Sequence, residues 1–242
     1  MTGPKQIKAC LFDMDGLLVN TEDIYTITCN EILTKYGKGP LTWDVKLKLQ
    51  GLPGPEAGDK LISTYDLPLT YEEYNDLNIK SQETKWPTCA FLPGAQDLIH
   101  YLHDHNVPIA LCTSSNKEKL QGKTSHLKGF DCFDAIVTGD DARIPKGRGK
   151  PCPDIYQLGL KELNEKFGTN IKSDECLVFE ELSYVNHVFG IFELEHMLFL
   201  ILVSFNKIAI RLDVVVLYKQ DTVTCNSSSS LDKLYGKYDY RE

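Results

Sequence analysis

Two aspartates separated by one residue, Asp13 and Asp15, stand directly after a short apolar run, residues 7–12 (IKACLF), and Gly16 follows them. Three further sets of polar residues occupy the same kind of position. Thr113, Ser114 and Ser115 follow the β-rich run 107–112, Glu180 and Glu181 close the run CLVFE, and Lys150 lies in the loop GRGKPCPD. Each has a plain structural explanation when taken singly. An Asp-x-Asp pair at a strand end is common turn chemistry, a Thr or Ser ahead of a helix is most simply an N-cap, and a loop lysine or paired glutamate is usually solvated. Together they describe a different arrangement. If the strands are parallel and adjacent, the four sets converge on one edge of a sheet. Carboxylates there suit a hard cation such as Mg2+, and hydroxyl, backbone amide and ammonium groups suit the phosphate it would bridge.

The surrounding pattern supplies such a sheet. Apolar residues recur at helical spacing from about 21 to 36 (Ile24, Ile27, Ile32, Leu33), and the helical period returns over 44–50, 56–65 and 71–86. Punctuation at Pro53-Gly54-Pro55, Pro68, Pro87 and Pro93-Gly94 divides this stretch into four pieces, as expected of a small helical bundle set into another domain. An α/β rhythm then resumes: helix 95–105, strand 107–112, helix 117–127, strand 135–138, helix 155–167 and a strand ending at Glu180. Alternation of this kind argues a doubly wound parallel sheet, whose ligands lie beyond the carboxyl ends of its strands.

Composition narrows the function classes. The chain has 242 residues, 42% apolar and 25% charged, enough to build a sizeable core. A formal net charge of -8 leaves no basic field for a nucleic-acid backbone, so nucleic acid is not expected as a partner. The longest apolar run, 197–205, is about half the ~20 residues that a bilayer-spanning helix requires, so no membrane partner is expected either. The eight cysteines are scattered without metal-ligand spacing, and Cys10, Cys112 and Cys176 fall inside apolar runs as small core hydrophobes. That usage suits a reducing compartment, and with no secretory signal pattern at the start the expected location is the cytoplasm.

The segments FDMDGLLVNTE, LCTSSN, GKPCPDIY and LVFE, in this order and with helices between the first two, resemble the motifs of the haloacid-dehalogenase-like phosphohydrolases. WDVK at 43–46, WPTCAFLPGAQDLI at 86–99, KTSHLKGF at 123–130 and GDDARIPKGRGKPCPDIY at 139–156 are similar to the branch holding pseudouridine-5'-phosphatases and glycerol-phosphate-phosphatase-like enzymes. The resemblance spans about residues 7–180. It implies a Rossmann-like core formed by 1–21 and 91–180, and a helical cap over 22–90 that closes on the substrate. It also implies a Mg2+-dependent phosphatase acting on a small phosphorylated metabolite through an aspartyl-phosphate. In that scheme Asp13 is the nucleophile and Asp15 the general acid and base. Thr113, the Ser114 amide and Lys150 bind phosphate, and Asp13, Asp15, Glu180 and Glu181 serve the metal.

Two departures from the family pattern stand out. Asn20 replaces the usual Asp of the Asp-Thr-Glu run, and the fourth motif reads Glu180-Glu181-Leu182-Ser183 where the family has Glu-Asp and a small-residue turn. Residues 181–242 are therefore an atypical terminus. Either it is a replacement that leaves a catalytically impaired form, or it still packs, with 207–218 as a substitute strand and 193–205 as a buried helix. A sugar-phosphate mutase sharing the same covalent chemistry is the enzymatic alternative, and a nucleotide-sugar transferase using Asp-x-Asp as a metal clamp is disfavoured by the Lys150 loop. Oligomeric state is not legible in the sequence.

Overall fold

The computed structural model describes residues 6–49, 52, 54–150 and 152–180, together with the backbone at 181 and 198–202. Its centre is strand β1 (Ala9–Phe12), buried along its whole length. Side chains alternate across a strand, so Ala9 and Leu11 enter one hydrophobic layer and Cys10 and Phe12 the other. The first layer is closed by α7 (Asp154–Phe167), which brings Ile155, Tyr156, Leu160 and Leu163 against Ala110, Cys112, Val137 and Val178. Gly159 allows the close approach, since a Cβ there would stand 2.7 Å from Cys112 Sγ. The second layer is closed by α5 (Ala95–Asp104) through Ala95 and Ile99. Phe12 stacks on Phe179 in that layer, with ring centroids 4.3 Å apart.

Around β1 the order is β3 (Ala135–Val137), β2 (Ile109–Cys112), β1, β4 (Cys176–Glu181), β5 (Leu198–Leu202), and every pairing is parallel. All carboxyl ends therefore face one edge. The register sets Phe12 opposite Leu111 on one side and Phe179 on the other. One residue further along, Asp13 lies beside the end of β2 and next to Glu180. The sheet and helix pattern expected from the sequence is present from Ala9 to Glu180.

One expectation is corrected. Packing of the terminus with 193–205 as a buried helix is not what the chain does at its centre, since Leu198–Leu202 pairs with β4 as a strand. A short run of consecutive apolar residues fits a buried helix or a parallel strand buried on both faces, and here the open edge of β4 decides between them. The alternative strand at 207–218 lies outside the described residues.

Among the described residues four α-helices lie between β1 and α5: α1 (Thr21–Lys35), α2 (Trp43–Leu49), α3 (Gly54–Tyr65) and α4 (Tyr71–Glu83). Cys29, Ile32, Leu33, Leu61, Leu67 and Tyr74 give them a core of their own. A capping box starts α4, where Thr70 Oγ1 accepts from the Glu73 amide and Glu73 Oε2 accepts from the Thr70 amide. Such caps are worth about 1 kcal/mol. The chain leaves and rejoins the sheet through paired segments. Leu92 N donates to Leu18 O at 2.8 Å, Val19 bridges Phe91 in antiparallel fashion, and Asn20 N donates to Ala90 O at 3.1 Å. Asn20 Oδ1 also accepts from the Ala90 amide at 2.8 Å. The departure at position 20 thus keeps an acceptor that an aspartate would supply equally.

Candidate active site

Two clusters of charge occupy the carboxyl edge. In the first, Lys150 Nζ lies 2.6 Å from Asp13 Oδ1 and 2.8 Å from Glu180 Oε1. Tyr156 donates its hydroxyl to the same Glu180 oxygen. All of these groups are buried, Lys150 included, its side chain 3% exposed. Burial, and next the charge of Glu180, push the Asp13 carboxyl well above the usual carboxylate range, against the pull of Lys150. Burial likewise raises Tyr156 far above an ordinary phenol, so it acts here as a neutral donor. A hard cation beside Asp13 and Glu180 would favour the charged forms of both carboxyls.

Local interactions hold the loop that carries Lys150. Arg148 grips Asp154 through two hydrogen bonds of 2.7 Å at the first turn of α7. Arg143 bonds both Asp141 and Glu162. Bidentate guanidinium pairs of this kind fix direction as well as charge.

In the second cluster both oxygens of Asp15 are engaged. Oδ1 accepts from Lys123 Nζ at 2.6 Å and Oδ2 from Ser115 Oγ at 2.9 Å. Burial works to raise this carboxyl, but the charge and hydrogen bond of Lys123, with hydrogen bonds from Thr21 and Ser115, outweigh it and hold Asp15 below the usual range. Asp13 and Asp15, two residues apart, are thus driven in opposite directions.

Between the clusters runs the loop after β2. Asn116 caps α6 (Lys117–Thr124) by accepting from the Lys119 amide at 2.9 Å, so Thr113, Ser114 and Ser115 are not spent on capping. Thr113 is buried and its hydroxyl accepts from the Ser115 amide, whereas Ser114 is exposed. Gly139 passes so close that a Cβ there would stand 2.2 Å from Ser114 O.

Asp13, Asp15, Thr113, Ser114, Lys150 and Glu180 therefore all reach this edge. The side chain of Glu181 lies outside the described residues. Among the described residues no three acidic, His or Cys side chains converge on one point. A hard cation would here have the carboxylates of Asp13 and Glu180 as its protein oxygen donors. That small, all-oxygen set fits Mg2+, which keeps several waters.

The sequence reading gave no role to Lys123 or Tyr156, and it named Ser115 only as a member of the run Thr113–Ser115. Lys123 lies in a helix with almost no apolar face, and its partner Asp15 is distant in the chain, so spacing gave no signal. Tyr156 sits at the apolar period of α7 and reads as core.

A parallel sheet with an Asp-x-Asp strand end, a buried loop lysine and an acidic fourth strand end defines a class. The chain matches the family model of haloacid dehalogenase-like hydrolases over residues 10–181, and it belongs to that family. It is 70% identical over 182 residues to a probable pseudouridine-5'-phosphatase of Saccharomyces cerevisiae, covering 75% of this chain and 77% of that one. A probable pseudouridine-5'-phosphatase of Drosophila melanogaster is 34% identical over 179 residues, covering 73% and 74%. Among solved structures, a Thermotoga maritima protein assigned as a β-phosphoglucomutase superposes with a TM-score of 0.62 at 26% identity, covering 83% of this chain and 88% of that one. The protein is a phosphatase of this family, a phosphoric monoester hydrolase. No described helix is long and apolar enough to cross a membrane.

Proposed function

We propose that the protein is a Mg2+-dependent phosphatase of small phosphomonoesters, acting through a phosphorylated Asp13. Pseudouridine 5'-phosphate is the first candidate substrate, given the names of the two curated relatives, and polyol or sugar phosphates are the next. The observation that carries the reading is the separation of two carboxylates: Asp13 shares Lys150 with Glu180, while Asp15 is held apart by Lys123 and Ser115.

Asp13 Oδ attacks phosphorus, and the bond to the leaving oxygen breaks with its electron pair going to that oxygen. Asp15, which must first take up a proton from solvent, delivers it to that oxygen, then takes one back from the water that hydrolyses the acyl phosphate. Lys150 and Thr113 offset charge on the phosphoryl oxygens, and the exposed Ser114 offers its amide. Asp13 and Glu180, with the Asp15 carbonyl and Glu181 as further candidates, would hold Mg2+, whose charge would lower the repulsion between carboxylate and phosphate dianion. The four-helix segment between Asn20 and Ala90 serves as a cap that excludes water over a core made of 1–21 and 91–180. The cytoplasm is its proposed location, in keeping with unpaired buried thiols.

The test is phosphate release from pseudouridine 5'-phosphate and from an aryl phosphate, with Mg2+ or EDTA, beside Asp13→Asn. Turnover that needs both metal and Asp13 supports the reading, and turnover that survives Asp13→Asn overturns it. Conversion of a sugar phosphate to its isomer without free phosphate would instead establish the mutase reading, which the mutase assignment of the superposed structure keeps in view.

A further inference from the structure

We infer that Lys123 is a positioning residue for Asp15, through which the seating of the helical segment on the sheet edge holds the proton-transferring carboxyl in place. The inference rests on the phosphatase reading above and goes one residue deeper into the same site. Lys123 projects from α6 and its side chain is 0% exposed. Its ammonium has three donors, and three acceptors surround it: Asp15 Oδ1 at 2.6 Å, Ser115 Oγ at 2.9 Å and Tyr25 Oη at 2.9 Å. Ser115 in turn donates to Asp15 Oδ2 at 2.9 Å, so carboxyl, hydroxyl and ammonium form a closed ring. Asp15 cannot turn about its side-chain bonds without breaking two contacts at once.

Two aromatic rings beside Lys123 come from the helical segment. Tyr25 belongs to α1, and its ring centroid is 5.4 Å from Nζ. Trp86 lies in a short 3-10 turn after α4, with its centroid at 4.9 Å. Tyr25 and Trp86 pack edge to face, and Gly122 admits the indole, since a Cβ there would stand 3.2 Å from Trp86 Cδ1. Burying an ammonium is costly unless it is paired, and an apolar residue would fill this space at lower cost. The charge is therefore retained for what it holds.

The consequence is specific to one step. When the phosphorus–oxygen bond breaks, an alkoxide leaving group needs the proton of Asp15, whereas a nitrophenolate departs without it. The quantity to compare is kcat/KM, which covers the chemistry up to release of the leaving group. It would be measured for the wild type, Lys123→Met, Lys123→Arg and Tyr25→Phe on an alkyl phosphomonoester and on p-nitrophenyl phosphate. A displaced catalytic group typically costs on the order of 100-fold, so Lys123→Met should lose about that factor on the alkyl ester and far less on the aryl ester. Lys123→Arg should recover part of the alkyl activity, and Tyr25→Phe should show the same preference at smaller size. Equal losses on both esters, in variants with wild-type circular dichroism and unfolding midpoint, overturn the inference. If Lys123→Met fails to fold, Tyr25→Phe, which removes a single hydroxyl, decides by the same comparison. A wild type whose turnover ignores Asp13→Asn defeats the phosphatase reading itself, whereas an Asp13-dependent wild type with leaving-group-blind variants defeats this inference alone.

Discussion

Asp13 and Glu180 end neighbouring parallel strands and share one ammonium, that of Lys150, at 2.6 and 2.8 Å. The pairing ties the loop before α7 to the middle of the sheet, and it concentrates three buried charges in one place. Removing the cation would leave Asp13 and Glu180 facing each other without the ammonium that both contact.

Lys150→Met should accordingly be destabilised by about 3–5 kcal/mol, the usual cost of breaking a buried ion pair from one side. Its phosphate release should fall by a factor of at least ~100, as when an electrostatic stabiliser of the transition state is lost. Urea denaturation and a steady-state assay check the two halves separately. A variant with unchanged midpoint would mean that the cluster is solvated.

Mg2+ should raise the thermal midpoint of the wild-type protein relative to EDTA, because a ligand held by the native state alone stabilises it by mass action. Glu180→Gln should remove most of that increment. The readout is a melting curve, independent of turnover. An increment that survives in Glu180→Gln would place the cation elsewhere.

Gly139→Ala tests the loop after β2. A methyl group 2.2 Å from Ser114 O must push one backbone away from the other. Overpacking of this kind costs about 1–3 kcal/mol. Because the displaced segment carries the exposed Ser114 amide, KM for the phosphomonoester should rise as well.

Asn20→Asp should be neutral within about 0.5 kcal/mol, since the aspartate keeps an oxygen for the Ala90 amide. Asn20→Ala should cost about 1 kcal/mol, the net worth of that hydrogen bond. Chemical denaturation of the two variants gives the comparison directly.

Thiol reactivity has a defined pattern. Burial pushes Cys10 and Cys176 up to about 12 and Cys29 and Cys89 up to about 11, and it raises Cys112 further. At pH 8 all five are protonated and enclosed. Alkylation of the native protein should therefore mark, among the described cysteines, only the partly exposed Cys132 and Cys152. Mass spectrometry of the labelled chain checks it, and the five buried thiols should react only on unfolding.

The strands and helices from Ala9 to Glu180 were legible because their periods and punctuation are local properties of the chain. Asp13, Thr113 and Glu180 were legible because they stand at strand ends that a parallel sheet must gather, and Lys150 because its Gly-rich loop precedes the helix leading to the last of them. Lys123 was not, since a lysine in a polar helix gives no sign that Asp15, Ser115 and Tyr25 will enclose it. The segment around Leu198–Leu202 failed for another reason. A continuous apolar run carries no period, and only the free edge of β4 settled its form.

The paired stretches 18–20 and 90–92 let the chain depart from the sheet and come back at nearly the same place. Everything between them is an excursion that begins and ends at one doorway. Such an excursion can change in length or content without rerouting a strand, because insertions between neighbouring ends are well tolerated. On the proposed reading, what lies beyond that doorway can change with the phosphorylated partner while the sheet edge keeps one chemistry, provided Tyr25 and Trp86 keep their contacts with Lys123.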